Sequence, residues 1–246
     1  GLEARVVRVE VGSAGGPEAA ARDARYAALR DASASENAAA VLLAHTLDDQ
    51  AETVLLGLAR GSGATSLGGM WPDRSEAGVR WLRPLLSVRR ATTRAACAAA
   101  GLEPWQDPHN VDPGFARVRV RERVLPVLEE ELGPGVAEAL ARTAEQLRED
   151  ASAFQELIEE TIEDIVEPAE AGIAVSVAAL AANPPALRNR IVRLVVASEF
   201  HASLSRRQTT EVARLVTHWH GQGAIDLPGC RARRVAGRIE FTARPG

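Results

Sequence analysis

Several shortages in this chain of 246 residues limit what it can be. Its only cysteines, Cys97 and Cys230, are too few for a disulfide framework or for a zinc site built from cysteines. Because disulfides are typical of oxidising compartments, their scarcity favours a reducing one, and we predict a cytoplasmic protein. No apolar run reaches the ~18 residues that a membrane-spanning helix needs. We therefore expect no membrane partner.

Lysine is absent, so all 29 basic side chains are arginines, which we attribute to the codon preference of a GC-rich genome. The formal net charge of -4 conceals an uneven distribution. Residues 186–246 hold 11 arginines against 4 acids, a balance of +7, whereas residues 1–185 hold 18 arginines against 29 acids, a balance of -11. This basic tail predicts a polyanionic partner.

The first hundred residues alternate between strand-like and helix-like segments. Strands are predicted over 2–11, 41–44 and 79–82, and helices over 17–33, 48–60 and from Ser87, as the cap, to about Gly101. The run from Val41 to Ala44 is continuously apolar, which is typical of a strand buried on both faces of a parallel sheet. This order predicts an α/β fold with an incomplete doubly wound parallel sheet.

The rest of the chain has a different pattern. After a proline-containing loop over 101–114, residues 115–166 are predicted to be helical with a break at Gly133, and two further helices follow over 187–200 and 205–219. Three short strands are predicted over 224–227, 231–235 and 238–242. We therefore expect three regions: 1–107 as the remaining α/β domain, 108–168 as a helical linker, and 169–246 as a small α+β C-terminal domain.

The densest functional signal lies where the second strand ends and a helix begins. Ligands of open parallel sheets bind at such carboxyl ends, and here His45, Asp48, Asp49 and Glu52 follow one another within eight residues. Asp48 as an N-cap and Asp49 in the first turn would explain two of the acids without any function. However, three carboxylates on one helix face repel one another unless a divalent metal or a cationic substrate group neutralises them.

Glycines follow the same helix. Gly61 is suited to a helix C-terminus, and Gly63, Gly68 and Gly69 would let backbone amides approach a ligand. Alone, this signal is weak.

Together these motifs resemble the tRNA(Ile)-lysidine synthetases of the PP-loop ATPase type. The resemblance rests on blocks in a fixed order over residues 1 to about 150: His45-Thr-Leu-Asp-Asp-Gln-Ala-Glu-Thr53, Arg60-Gly-Ser-Gly63, Leu67-Gly-Gly-Met70, Arg83-Pro-Leu-Leu86, Trp105-Gln-Asp-Pro-His-Asn110, Phe115-Ala-Arg-Val-Arg-Val-Arg121 and Val124-Leu-Pro126. Residues 169–246 match the family in layout more than in motif.

The resemblance implies an enzyme that uses ATP to adenylate C2 of the wobble cytidine in the CAU anticodon of tRNA(Ile). The amine of free L-lysine then displaces AMP to give lysidine. It implies that Asp48, Asp49 and Glu52 lie near the adenylate, Mg²⁺ and lysine, with the first two as metal ligands, and that His45 shapes the pocket. Substrate-binding residues are expected at Arg60, Gly61, Gly63, Asp107 and Asn110, and contacts to tRNA or adenylate at Arg117, Arg119 and Arg121.

The sequence departs from the family pattern in several places. Ala44 and His45 stand where the family usually has two histidines, and His109 and Val118 stand where it has a serine and an asparagine. The Ser-Gly-Gly-x-Asp-Ser loop that cradles the ATP pyrophosphate does not occur in the sequence. We therefore expect this chain to be part of a longer protein and to be inactive alone.

The basic tail supplies the remaining expected tRNA contacts. Arginine forms bidentate hydrogen bonds with phosphates and releases counterions. The predicted contacts are Arg188, Arg190, Arg193, Arg206, Arg207, Arg231, Arg233 and Arg234. A surface in which arginine must fill every basic position is the alternative explanation.

Two other functions stay open from the sequence. A metal-dependent hydrolase would use His45 with the three acids, although only His109 adds another histidine in the first two thirds of the chain. A non-catalytic tRNA-binding fragment is the second alternative. A homodimer is a further expectation. In the full-length enzyme, Asp49→Asn or Glu52→Gln is expected to abolish lysine transfer without disturbing the fold.

Overall fold

The computed structural model describes residues 4–13, 16–169 and 172–244. These divide into two compact units, residues 1–151 and 152–246. The predicted boundaries at 107 and 168 stay a prediction. Within the described residues, no helix combines the length and the apolar character needed to cross a membrane.

The first unit contains a small mixed sheet and most of the helices. Its elements are α1 (Pro17–Ser35), β1 (Val41–Leu42), α2 (Leu47–Ala59), α3 (Ala64–Leu67), β2 (Asp73–Glu76), β3 (Val79–Leu82), α4 (Arg90–Ala99), α5 (Ala116–Arg119) and α6 (Leu125–Leu132). A 3₁₀ turn covers Pro108–Asn110, and a π-helical turn covers Val120–Val124. The sheet order is β1-β3-β2, with β1 parallel and β2 antiparallel to β3.

The predicted strand over 2–11 is wrong where it can be judged. Residues 4–11 have no regular structure, and Val6 is 97% exposed; Leu2 and Glu3 lie outside the described residues. Alternating valines do not make a strand without a neighbour to complete the hydrogen-bond ladder. The strand at Val41 exists, but its predicted burial on both faces is wrong because Leu42 is 67% exposed.

The helix α2 packs its apolar face on the helices that follow α4. Leu47 and Ala51 form a small core with Leu125 and Ala137. The acids lie on an adjoining face of α2, where Glu52 is beside Arg117 of α5 and Arg121 of the π-helical turn. The α2 helix is therefore the element around which the candidate site is built.

The long helix α7 (Val136–Ile165) begins in the first unit and ends in the second. The predicted break before it is confirmed, and Glu129 supplies its cap. The carboxylate of Glu129 accepts hydrogen bonds from the amides of Gly135, Val136 and Ala137. The bond from Ala137, with those from the two preceding amides, holds the pKa of Glu129 below its usual value.

The described residues of the second unit form a five-stranded antiparallel sheet, three further helices and the C-terminal end of α7. Its elements are β4 (Val166–Ala169), β5 (Gly172–Ser176), α8 (Val177–Ala182), α9 (Pro185–Phe200), α10 (Arg206–Thr217), β6 (Ile225–Asp226), β7 (Cys230–Val235) and β8 (Arg238–Ala243), with sheet order β4-β5-β8-β7-β6. A single core includes Val192, Leu215 and Phe241. The predicted α+β character of this region is confirmed.

Candidate active site

The N-terminus of α2 is fixed by a capping box. The Thr46 hydroxyl accepts from the Asp49 amide at 3.4 Å, and Asp49 Oδ2 accepts from the Thr46 amide at 2.8 Å and from its hydroxyl at 2.7 Å. Asp48 is therefore not the N-cap, and that prediction is wrong. The reciprocal bonds of Thr46 and Asp49 satisfy two amides that a single side chain could not.

Asp48 instead holds the start of another helix. Its Oδ2 accepts from the Arg90 amide at 2.7 Å, at the first residue of α4, and its Oδ1 lies 3.3 Å from Arg89 Nη1. A carboxylate at a helix N-terminus satisfies an orphan amide and meets the positive end of the helix dipole. The prediction that Ser87 caps this helix is wrong, because Asp48, remote in sequence, does so.

Glu52 is the most deeply buried acid among the described residues, with no exposed surface. Its Oε1 accepts from Arg90 Nη2 at 3.0 Å and from Arg121 Nε at 2.8 Å, and its Oε2 accepts from Arg121 Nη2 at 3.0 Å. Arg117 Nε lies 3.9 Å from Oε2. The bidentate bond from Arg121 is the strongest form of carboxylate recognition.

The same arginines neutralise Asp49. Its Oδ1 lies 3.0 Å from Arg90 Nη2 and 3.6 Å from Arg121 Nη2. Burial raises the pKa of Asp49, but the bonds from Thr46 and the charge of Arg90 outweigh burial and hold the pKa below its usual value. Burial alone would lower the pKa of Arg121. The hydrogen bond to Glu52 and the negative charge of Glu52 outweigh burial, so the pKa of Arg121 is raised.

We use the term arginine–carboxylate cluster for Asp48, Asp49, Glu52, Arg89, Arg90, Arg117 and Arg121. Among the described residues, no group of three or more His, Cys, Asp or Glu side chains is placed to hold a metal ion. Asp48 and Asp49 already accept from guanidinium and amide donors. Their oxygens therefore do not fit a Mg²⁺ site in this arrangement, and we derive no step through a metal.

His45 lies beside this cluster, half-buried, at the end of the segment that leaves β1. Its Nδ1 is 3.3 Å from Nε of the buried Arg83. Burial, followed by the charge of Arg83, lowers the pKa of His45 to about 4. The imidazole is therefore neutral at physiological pH.

The glycines that follow α2 have structural roles at helix ends and beside a packed side chain. Gly61, with φ +65°, follows the last turn of α2, as predicted from the sequence. Gly63 precedes α3 at an ordinary φ of -74°, and Arg60 is exposed. Gly69, with φ +64°, is approached by the side chain of Gln50.

The remaining predicted substrate residues are not joined to the cluster by a hydrogen bond or ion pair within the described residues. Asp107 caps the 3₁₀ turn by accepting from the His109 amide at 2.9 Å, and Asn110 is exposed. Arg119 donates to the carbonyls of Pro113 and Gly114. Only Arg117 and Arg121 of the arginine-rich block reach the acids.

Sequence reasoning missed the partners that complete the site. Arg83, Arg89 and Arg90 all follow β3, and Arg89 pairs with Glu138 of α7 at 2.6 Å. Two adjacent arginines at the start of a helix have the same sign as the positive end of its dipole, so an acid from elsewhere in the chain is expected beside them. Arg83 also lines a cleft of 530 Å³ with Gln50 and Arg148.

The predicted tRNA contacts of the second unit fall into three groups. Two donate to backbone carbonyls: Arg188 to Leu180 and Asn183, and Arg234 to Leu215. Three pair with acids across exposed surface: Arg207 with Glu211, Arg231 with Asp226, and Arg233 with Glu240. No acidic partner lies within 4 Å of the third group among the described residues: Arg190, Arg193 and Arg206.

This third group is a concentration of positive charge. Burial lowers the pKa of Arg193, and the charges of Arg190 and Arg206 lower it further. Arg190 also lies over the ring of Phe154, with its guanidinium carbon 4.4 Å from the ring centroid. We call these three residues the arginine patch.

Two family models match the chain: one described as a PP-loop domain over residues 2–128, and one described as the TilS substrate binding domain over residues 176–240. Relatives named tRNA(Ile)-lysidine synthase share 62% identity in Leifsonia xyli, 54% in Streptomyces coelicolor and 50% in Mycobacterium tuberculosis. The alignments cover 96, 94 and 96% of this chain and 70, 65 and 72% of those relatives.

Among solved structures, the U34-tRNA thiolase NcsA from Methanococcus maripaludis matches 55% of this chain and 44% of its own, with 21% identity and a TM-score of 0.45, a likeness too small to carry an argument. The two family models agree with the predicted fold class, an α/β PP-loop part followed by a small C-terminal part. The chain belongs to the tRNA(Ile)-lysidine synthase family of PP-loop enzymes.

Proposed function

We propose that the protein containing this chain ligates lysine to C2 of the wobble cytidine of tRNA(Ile) with a CAU anticodon, through an adenylate intermediate. The observation that carries this proposal is 62% identity over 96% of the chain to a tRNA(Ile)-lysidine synthase. The arginine–carboxylate cluster supports it because a site for polyanions and an amine needs both charges in one place. The chain spans 65 to 72% of the relatives cited above, so the whole activity is a proposal.

ATP is the substrate that the PP-loop description implies. The first turn of α2 does not suit its phosphates, because Asp48 and Asp49 lie there with like charge. Arg90 and Arg117 are better suited to bind the phosphates, since neither uses all five of its N–H donors within the cluster. ATP would supply an adenylyl group that turns the C2 oxygen into a leaving group.

Lysine would bind on the acidic side of the cluster. Glu52 is closed off by Arg90 and Arg121, so a lysine ammonium would have to displace a guanidinium to reach it. The side chains of Asp48 and Asp49 remain 22% and 16% exposed. Each carboxylate oxygen can accept a second N–H hydrogen bond, so we propose these two as the contacts for the amine and Glu52 as the anchor of the arginines.

The arginine patch is the proposed phosphate contact of the second unit. We expect Arg190→Gln, Arg193→Gln and Arg206→Gln together to reduce the slope of log affinity for tRNA against log salt by ~2 to 3, since each lost phosphate contact removes ~0.7 to 0.9. A filter-binding titration at several salt concentrations measures it.

The matched control removes three arginines whose charge is already paired: Arg207→Gln, Arg231→Gln and Arg233→Gln. Their acids would then be left to repel tRNA, but the number of phosphates contacted should hardly change. Equal slopes for the two triple variants would reject the patch and leave only general attraction between charges.

Labelled lysine tests the activity itself. We expect ATP-dependent incorporation into tRNA(Ile) with a CAU anticodon, and none into elongator tRNA(Met), by a chimeric protein in which this chain replaces the matching segment of the Leifsonia relative. The chain alone should give none, because it has no Ser-Gly-Gly-x-Asp-Ser loop. Incorporation by neither protein contradicts the proposed function, whereas incorporation by the chain alone contradicts only its expected inactivity.

Other expectations accompany this function. Cys97 and Cys230 are free thiols, which agrees with the proposed cytoplasmic location. A homodimer and the region boundaries at 107 and 168 stay predictions, whereas the predicted Mg²⁺ ligands Asp48 and Asp49 do not fit a metal site in this arrangement.

A further inference from the structure

Arg83 is a buried arginine whose guanidinium nitrogens are each directed at a different partner. Nη1 donates to the Trp71 carbonyl at 2.7 Å, and Nη2 lies 3.4 Å from the Tyr26 hydroxyl. Nε lies 3.3 Å from His45 Nδ1. Because no acid pairs with Arg83 among the described residues, these neutral acceptors fix the orientation of the guanidinium.

This contact determines where His45 carries its proton. A guanidinium only donates hydrogen bonds, so Nδ1 of His45 must accept and cannot itself be protonated. A neutral imidazole with a free Nδ1 lone pair carries its proton on Nε2. We propose that Arg83 is a positioning residue that holds His45 as the neutral Nε2–H tautomer.

The surrounding charges favour the same state. Burial and Arg83 are the main causes that lower the pKa of His45 to about 4, and Arg25 and Arg117 lower it further, while Asp49 raises it. Tyr26 is the other titratable group at Arg83. Three arginines against one carboxylate therefore disfavour an imidazolium at neutral pH.

The tautomer assigns His45 a definite task, which rests on the proposed function. Nε2 of His45 has no hydrogen-bond partner within the described residues. It is also not fully buried, so its N–H can reach a ligand. With its proton on Nε2, His45 donates to an oxygen of the adenylate or the cytidine. With Nδ1 engaged by Arg83, it does not serve as the base for the lysine amine.

Nitrogen NMR of the full chain with labelled histidine tests the tautomer directly. The His45 signals, identified by their loss in His45→Gln, should show a protonated Nε2 and an unprotonated Nδ1 through neutral pH, with a titration midpoint near pH 4. Arg83→Met should mix the tautomers and raise the midpoint, and Arg83→Lys should restore both in part. A protonated Nδ1 or a tautomer mixture in the unsubstituted protein overturns the proposal, even where Arg83→Met does not fold.

A second measurement separates the donor from a base. The Gln amide of His45→Gln can place an N–H near the position of Nε2, whereas His45→Leu cannot. In the chimeric protein, we expect His45→Gln to keep lysine transfer within ~10-fold of the unsubstituted chimera and His45→Leu to lose ~100-fold or more, because a lost donor to a developing oxyanion costs that much. Equal losses would overturn the donor role, whereas no transfer by any protein would refute the proposed function and leave the NMR result standing.

Discussion

Glu52→Gln is expected to destabilise the first unit by ~3 to 5 kcal/mol, the cost of removing one partner from a buried ion pair. Glu52 has no exposed surface, and its two oxygens receive three guanidinium hydrogen bonds. A neutral amide would leave Arg90 and Arg121 buried in part without their countercharge, and its NH₂ group would face donors. Urea unfolding followed by tryptophan fluorescence measures the loss, since Trp71 and Trp81 lie in this unit.

A matched change in the same unit serves as the control. Glu36 pairs with Arg5 on the surface, with 68% of its side chain exposed, so Glu36→Gln should cost ~0 to 1 kcal/mol. If Glu52→Gln were as mild as Glu36→Gln and still abolished lysine transfer by the chimeric protein, Glu52 would be a substrate contact and not the anchor of the arginines.

This expectation differs from the one drawn from the sequence, which treated Glu52→Gln as harmless to the fold. The sequence argument was sound in requiring a cation beside three clustered acids. It could not identify the cation, because Arg90 and Arg121 lie 38 and 69 residues away from Glu52. In the structure these arginines supply the positive charge that a metal or a lysine ammonium was expected to supply.

Local signals predicted the fold well where they were complete. Ser205 caps α10 through a capping box, as expected from a serine before a helical pattern. The turn between β7 and β8 has Ala236 and Gly237 at φ 45° and 79°, the geometry of a two-residue hairpin turn. In contrast, β2 escaped notice because all four of its residues are exposed and carry no apolar alternation.

The arginines of the basic tail, residues 186–246, also show that contacts between residues distant in sequence cannot be predicted from local sequence signals. Composition alone made eight arginines equal candidates for tRNA. Contacts with carbonyls and acids that the sequence cannot reveal separate Arg188 and Arg234 from the arginine patch. Net charge therefore predicts the kind of ligand. The carbonyls and acids that already bind some arginines within the fold determine which arginines remain available to that ligand.

Gln50→Leu is expected to cost the first unit ~3 kcal/mol, because buried polar groups left without partners cost ~1 to 3 kcal/mol each. Gln50 is 1% exposed; its Oε1 accepts from the Met70 amide at 2.8 Å, and its Nε2 donates to the Met70 carbonyl at 3.2 Å. Leucine is similar in size and removes these two bonds together with a third, from Gln50 Nε2 to the Gly68 carbonyl at 3.3 Å. The Gly68 carbonyl would keep a donor, since Arg148 Nη1 lies 2.6 Å from it.

Hydrogen exchange localises this effect. The Met70 amide should lose its protection in Gln50→Leu, whereas the exposed Gln146→Leu on α7 should change neither exchange nor stability. The same contact can be disturbed from the other side. Gly69 has φ +64°, and an added Cβ would lie 2.7 Å from Gln50 Oε1, so Gly69→Ala should also expose the Met70 amide.

The two changes should not add. Because Gly69→Ala acts in part by pushing Gln50 away, its cost should be smaller when Gln50 is already leucine, by ~0.5 to 3 kcal/mol as for residues in contact. Additive costs would mean that Gln50 does not hold the glycine segment against α2. If Gln50→Leu lowered the free energy of unfolding without faster hydrogen exchange at the Met70 amide, Gln50 would stabilise the unit through other contacts.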